Sequence, residues 1–271
     1  METGFAPSEI DTSRPHPARM YDYYLGGKSN YLVDRQAAAK VLRVVPELQD
    51  IVRENRAFLQ RAVRYLVGEA GIRQIIDIGT GIPTVGNVHE VARQITPNVR
   101  VVYVDNDPIV HVHANALLTG DGNTSIVLGD LRDPEAILAH PKVREMIDFG
   151  EPAALLLVAI LHFIPDEARP GRILAAFREA LAPGSYLALS HGTGDFHDTS
   201  VVRRASAVYK GATAPLVLRS HEQVSEYFGG WDLIEPGLVQ APLWRPDSKP
   251  PRPRELAKMG IYAGVGRKPA R

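Results

Sequence analysis

Asp77, Asp105 and Asp130 have the spacing from which a ligand site can be built. Each comes at or just after a short apolar run: Gln74-Ile75-Ile76 before Asp77, Val101-Val102-Tyr103-Val104 before Asp105, and residues 124–128 before Gly129-Asp130. Runs of this kind read as buried strands of a parallel sheet. Carboxylates that close three successive strands collect on the carboxyl edge of the sheet, where open α/β sheets bind ligands. Gly79-Thr80-Gly81 lies just past the first strand, and its glycines allow a sharp turn and close approach of backbone to a ligand. A helix expected over 85–95 would aim its free N–H groups at the same place. An acidic residue ending the second strand, here Asp105, is a usual acceptor for ribose hydroxyls. The pattern implies a nucleoside-containing ligand. The competing reading is that these carboxylates only cap the next helices, but Asp107 and Asp133 are better placed for that.

Other constellations fail on spacing. A dinucleotide fingerprint needs a third glycine where the chain has Thr84, which disfavours NAD and an NAD-linked oxidoreductase. Gly27-Lys28-Ser29 imitates the end of a phosphate-binding loop, yet Asp22 stands at the required first glycine and no strand precedes it. His111 and His113, two apart on an expected helix, point away from each other and make a poor metal pair, so no metal site is expected. Ser190, His191 and Asp195 lack the Gly-x-Ser-x-Gly elbow of a serine hydrolase.

The elements that position these residues follow from pattern. The 271 residues suit one large domain with an added element. Residues 1–17 are polar and proline-rich and read as an extended arm. Pro17 can open a helix that Gly26-Gly27 closes, a stretch dense in aromatics (Tyr21, Tyr23, Tyr24) that suits either core docking or a ligand cover. Helices are expected over 32–45 and 47–67, separated at Pro46. From residue 72 strands (73–78, 100–104, 124–128, 153–159, 185–191, 231–235, 259–266) alternate with helices (85–95, 108–118, 134–147, 167–182, 198–209, 220–228). Ser220 and Gln223 form a capping-box pattern for the last of these helices. The linker near 236–257 holds Lys249-Pro250-Pro251-Arg252-Pro253-Arg254, too proline-rich for a strand or helix. Alternation predicts a doubly wound, Rossmann-like α/β fold: a seven-stranded, mostly parallel sheet with an antiparallel last strand. Lys plus Arg equals Asp plus Glu at 31 each, so no net field draws the chain to nucleic acid. With no cysteine, disulfides and thiolate chemistry are excluded. No apolar run suits a membrane span, and no secretion signal shows, so a cytoplasmic protein is expected. Oligomeric state is not readable.

The set Asp77-Ile78-Gly79-Thr80-Gly81, Val104-Asp105-Asn106-Asp107, Gly129-Asp130-Leu131 and Leu157-Val158-Ala159-Ile160-Leu161-His162-Phe163 resembles the motif series of class I S-adenosylmethionine (SAM) methyltransferases. More closely, Arg14 to Tyr23, Gly26-Gly27-Lys28, Glu235 to Val239 and Trp244-Arg245-Pro246 resemble a bacterial S-adenosyl methyltransferase family formerly called domain of unknown function 574. The chain departs from many class I enzymes at Pro83, where a third glycine is common.

The resemblance implies SAM as cofactor, with S-adenosylhomocysteine (SAH) as product. It implies Asp77 under the glycine loop toward the cofactor's ammonium, Gly79, Thr80 and Gly81 against its methionine part, Asp105 on the ribose hydroxyls and Asn106 beside the adenine. Asp130 would take the adenine amino group, Leu131 would offer a backbone N–H, and Ala159 to Phe163 would line the floor near the sulfonium. Aromatic faces such as Tyr21 or Tyr24 would suit that cation. Where the acceptor must lose a proton, His162 is the first candidate base, followed by His16, Tyr21 and His191; His162 as a packed wall residue is the competing reading. Residues 1–71 are expected to form a helical cap over a SAM-binding domain of 72–271, acting on a small-molecule acceptor. A non-catalytic SAM or SAH binder of the same fold is the alternative.

Overall fold

The computed structural model describes residues 11–84, 86–117, 122–249 and 251–270. Three helices come first: α1 (Pro17–Tyr24), α2 (Leu32–Val44) and α3 (Leu48–Arg64), the last running into a π-helical turn over Tyr65–Glu69. Pro17 occupies the first turn of α1, where a missing N–H is harmless, and Gly26 beyond its end takes φ +81°. Residues 11–16 before α1 carry no helix or strand, and the remainder of the expected arm, 1–10, lies outside the described residues.

Among the described residues eight strands form one sheet: β1 (Gln74–Ile78), β2 (Arg100–Asp105), β3 (Thr124–Leu128), β4 (Ala154–Val158), β5 (Tyr186–Gly192), β6 (Asp232–Leu233), β7 (Val239–Gln240) and β8 (Ile261–Arg267). The order is β3-β2-β1-β4-β5-β8-β6, with β7 also pairing β8. Neighbours from β3 to β5 are parallel, and β8 runs antiparallel to β5, β6 and β7. The expected sheet gains one strand: β7 is a two-residue pairing inside a linker expected to be irregular. That linker also holds a short helix, α11 (Pro253–Leu256), which corrects the expectation that its prolines forbid one. Pro253 opens the helix at its first position, where no amide hydrogen is needed, and Glu255 caps it.

Between strands lie α4 (Val88–Arg93), α5 (Pro108–Leu117), α6 (Pro134–Ala139), α7 (Pro141–Met146), α8 (Pro170–Ala180), α9 (Thr199–Tyr209) and α10 (His221–Glu226). The single helix expected over 134–147 is two, because Pro141 cannot continue α6 and instead starts α7 behind His140. Helix α4 starts late, behind an Asn87–Glu90 capping box, and residues 85 and 118 of the expected helices lie outside the described residues. The Ser220–Gln223 box caps α10 as read.

The sheet is apolar on both faces, so its strands show continuous apolar runs. Ile75, Val101, Tyr103, Leu156 and Ala188 face one core, which also contains Met20 from α1, Phe58 and Leu59 from α3, and Leu66 from the turn after it. Ile76, Val102, Val104, Leu155 and Leu189 face the other, packed by Leu138, Ile173 and Phe177. By the two-residue period of a strand, Asp77 and Asp105 share the face of Ile75 and Tyr103, the one covered by α1 and α3. Buried Arg61 of α3 clamps the C-terminal linker onto that face: its Nε donates to the Trp244 carbonyl at 2.8 Å and its Nη2 to that of Ala241 at 2.7 Å. The Trp244 ring is fully buried against Phe58.

Candidate functional site

The turn after β1 is set by its neighbours. Gly79 N–H donates to the Val104 carbonyl at 2.8 Å, and Gly81 N–H to Asp105 Oδ2 at 2.9 Å. Gly79 has φ +73°, and a Cβ there would lie 2.6 Å from Ile160 Cγ1, so conformation and space both demand glycine. Gly81 has φ +67°, but a Cβ there would meet nothing within 4 Å. Its open side is a cleft of about 420 Å³ on the carboxyl edge of the sheet, within the range of small-molecule sites.

Asp77, Gly79, Thr80, Gly81, Asp105, Asn106, Asp130, Leu131 and Ala159 all line this cleft. So do His16 and Tyr21 from the N-terminal segment. Asp77 is buried; Thr80 Oγ1 donates to it at 3.2 Å. Burial pushes its carboxyl up to about 7, against the pull of Arg56 and the Thr80 hydroxyl. Burial likewise pushes Asp105 up to about 6, although backbone N–H groups of Asp107 and Gly81 favour its charged form. A carboxyl raised to about 7 beside one raised to about 6, both buried in a cleft, marks a place where a cation or hydroxyl donors would be welcome. Burial also opposes ionisation of Asp130, but hydrogen bonds and charge from Arg132 outweigh it and hold its carboxyl below the usual range. Capping falls elsewhere: Asp107 Oδ1 accepts from Ile109 N and Asp133 Oδ1 from Ala136 N, each at 3.0 Å. The edge carboxylates Asp77 and Asp105 are thus not spent on helix starts.

The proton-handling candidates are placed unequally. His16 accepts from Ala18 N through Nδ1 at 3.3 Å, and the same nitrogen lies 3.2 Å from Asp107 Oδ2; burial lowers its pKa. Tyr21 is tied into a chain. Its hydroxyl donates to the Val52 carbonyl at 3.3 Å and accepts from Asn55 Nδ2 at 2.9 Å; Asn55 Oδ1 accepts from Ser190 Oγ at 2.6 Å, and Ala159 N–H donates to that Oγ at 2.9 Å. Burial raises the Tyr21 pKa. His162 lies in a short 3-10 turn after β4, buried, with Nδ1 accepting the Gly192 N–H at 3.1 Å. That bond puts the proton of the neutral ring on Nε2 and leaves no free lone pair, the arrangement of a wall residue. Burial, then His191 and Arg219, hold its pKa well below normal. His191 is locked between the Gly192 carbonyl and Arg219, and burial lowers it to about 4. Tyr24 is not in the cleft: its hydroxyl meets that of Tyr209 at 3.2 Å in a second cavity.

That second cavity, about 110 Å³, adjoins the first. The two share Pro17, Tyr21, Asn55, Ala159 and Phe163. Ala159 has φ +58°, a left-handed conformation that is uncommon for a side chain with a Cβ and is held by the Ser190 hydroxyl. Sequence reading missed three residues here. Arg19 is 1% exposed and its Nε and Nη1 find no hydrogen-bond partner, with Asp107 Oδ2 3.4 Å from Nε. Arg56 and Asn55 come from the middle of α3. Nothing in one sequence separates these polar helix residues from solvated ones.

The sequence matches the model of the S-adenosyl methyltransferase family over residues 3–269. The chain belongs to that family. Among solved structures, a Thermobifida fusca YX protein provisionally named a methyltransferase is 43% identical, covers 99% of this chain and 100% of its own, and superposes with a TM-score of 0.91. A DUF574 family protein from Streptomyces avermitilis MA-4680 is also 43% identical, covering 96% of this chain and 100% of its own, with a TM-score of 0.91. The N-methyltransferase NodS of Bradyrhizobium japonicum WM9, solved with SAH, shares the fold at 14% identity and TM-score 0.51, over 87% of this chain and 98% of its own. No curated protein matches the sequence. The cofactor of the family, SAM, fits the observed chemistry: a buried donor at Arg19 Nη1 without a partner, a buried carboxyl at Asp77 whose charged form a cation would favour, and open space over Gly81. Among the described residues no cluster of His, Asp or Glu could hold a metal ion, and no helix is long and apolar enough to cross a membrane.

Proposed function

We propose that this family member transfers the methyl group of SAM to a small-molecule acceptor. The observation that supports it is the shared wall of the two cavities. Ala159, Phe163, Tyr21 and Asn55 separate a cleft of cofactor size from a smaller apolar chamber, a donor site facing an acceptor site. A chamber of about 110 Å³ suits one small molecule rather than a segment of nucleic acid, and the balanced charge of the chain agrees.

SAM supplies an already activated methyl group, so the residues of the chain mainly bind and position. In this reading Asp77 faces the ammonium, Arg19 the carboxylate, and the Gly79–Gly81 backbone the methionine chain. Asp105 keeps lone pairs beyond those given to Gly81 and Asp107, enough for ribose hydroxyls. Asn106 flanks the adenine, Asp130 accepts from its amino group and Leu131 offers a backbone N–H. Of the expected cap, the described residues 11–71 serve as the cover: α1 carries Arg19 and Tyr21 over the cleft, and its closure would keep water from the reacting atoms. Incubation with methyl-labelled SAM and a fractionated bacterial extract tests the acceptor class. Label in the small-molecule fraction supports the reading; label confined to RNA or protein overturns it.

A further inference from the structure

The second cavity has a property that its size alone does not give. Among the described residues no Asp, Glu, Lys or Arg lines it. Its walls include Val41, Val45, Ile51, Val52 and Leu216, so a charged group placed there would lose its water with no opposite charge on the lining to pair with it. The volume is about three-quarters of that of an engineered apolar cavity that holds one benzene, about 150 Å³, and the chamber opens onto the larger cleft through their shared wall. Two of its polar groups, Tyr21 and Asn55, are already bonded to each other. The Tyr24–Tyr209 pair leaves one hydroxyl proton and several lone pairs for an occupant.

The bases can be counted. His162 has spent its lone pair on Gly192 N–H, and the three tyrosines are acids made weaker by burial. Among the described residues one further titratable group lines the chamber, His197, in the turn between β5 and α9. Its Nε2 lies 3.1 Å from Glu47 Oε1, just before α3. A carboxylate only accepts, so Nε2 carries the proton and Nδ1 the lone pair. That Nδ1 has no hydrogen-bond partner among the described residues and sits against Gly260, where a Cβ would approach it to 3.2 Å. The order carboxylate, imidazole, free lone pair is that of a braced general base.

We propose that the chamber takes a neutral, single-ring phenol or enol, and that His197, held by Glu47, removes its proton; this rests on the methyltransferase reading above. A phenol-like hydroxyl is the acceptor an imidazole can serve, being acidic enough for proton transfer near neutral pH, whereas an aliphatic alcohol is not. The hydroxyl oxygen uses a lone pair to bond the methyl carbon, the bond from that carbon to sulfur breaks with its pair remaining on sulfur, and the hydroxyl proton passes to His197 Nδ1 and then to water. A methyl ether, the neutral thioether SAH and one proton result, and charge balances.

The test uses the full chain loaded with SAH, so that binding is read without turnover. 4-Methylphenol and 4-ethylphenol are titrated against it, with 4-hydroxybenzoate and tyramine as charged counterparts. The neutral phenols should bind at least tenfold more tightly. Ala205→Phe, which fills the chamber, should abolish phenol binding and leave SAH affinity unchanged, which also shows that the variant folds. In turnover with a bound phenol, His197→Gln should lower kcat about 100-fold or more at pH 7 with KM nearly unchanged, and the rate should recover as pH rises and the phenol ionises by itself. Failure of SAH to bind wild type sinks the methyltransferase reading and this one with it. SAH binding with no preference for neutral phenols, or phenol binding untouched by Ala205→Phe, overturns the chamber assignment alone. Undiminished kcat in His197→Gln overturns the base.

Discussion

Asp77→Asn should make the protein more stable and less able to bind its cofactor. The carboxyl of Asp77 is pushed up to about 7 by burial, from an ordinary value of 3.8. Between those values the folded protein holds a proton that the unfolded chain releases, so stability falls as pH rises through that window and levels off above it. The gap corresponds to about 4 kcal/mol at pH 8. At pH 5 only about 1.7 kcal/mol of it has developed, so about 2.5 kcal/mol appears between pH 5 and pH 8. Asparagine keeps the shape and an oxygen to accept from the Thr80 hydroxyl 3.2 Å away, but it cannot ionise. Urea unfolding of wild type and variant at both pH values measures the difference. The variant should gain roughly 2–4 kcal/mol at pH 8 and clearly less at pH 5, while its SAH affinity falls at least tenfold at pH 8. An equal stability change at the two pH values, or a variant less stable than wild type at pH 8, would refute the claim that Asp77 is held ionised at a loss for the sake of a ligand.

Three further outcomes follow from the same geometry. SAH affinity should rise about tenfold between pH 6 and pH 8 with proton release, because a bound ammonium favours ionised Asp77; calorimetry in two buffers of different ionisation heat measures both. Gly79→Ala should destabilise the fold by about 1–2 kcal/mol and disrupt the cleft through Ile160, whereas Gly81→Ala should cost only about 1 kcal/mol yet still weaken SAH binding; thermal unfolding with and without SAH separates the two. Arg61→Met should lose about 2–4 kcal/mol, since the buried carbonyls of Trp244 and Ala241 lose their charged donor, with little change in the pH dependence of SAH binding.

The strand-turn-helix at Asp77–Gly81 and the three-carboxylate edge were legible because they are local. Apolar runs of strand length, glycines at φ-demanding positions and an acidic residue at each strand end are all written within a few residues of one another. The break at Pro141 and the start at Pro253 were also written locally, but neither was read: one helix was expected over 134–147, and Pro253 was counted against a helix that it in fact opens, because a proline forbids a helix interior but suits a first turn. Tyr24 illustrates what was not legible. Tyr21 and Tyr24 lie three apart on α1 and share a face, yet only Tyr21 reaches the cleft, because α9 brings Tyr209 against Tyr24. Nothing local to Arg19 or Asn55 signals the burial that tertiary packing gives them, and the second cavity lies where α2, α3 and α9 converge. His162 had the right position beside β4, but its role depends on one hydrogen bond from Gly192, thirty residues away.

Titration of the purified protein with SAM and SAH, beside an Asp105→Ala variant, tests the central claim most directly. Binding with a Kd in the micromolar range, lost by at least 100-fold in a variant whose unfolding midpoint is preserved, is the predicted result. Equal affinity in the variant would remove Asp105 from the site, and no binding of either ligand to wild type would contradict the account at its root.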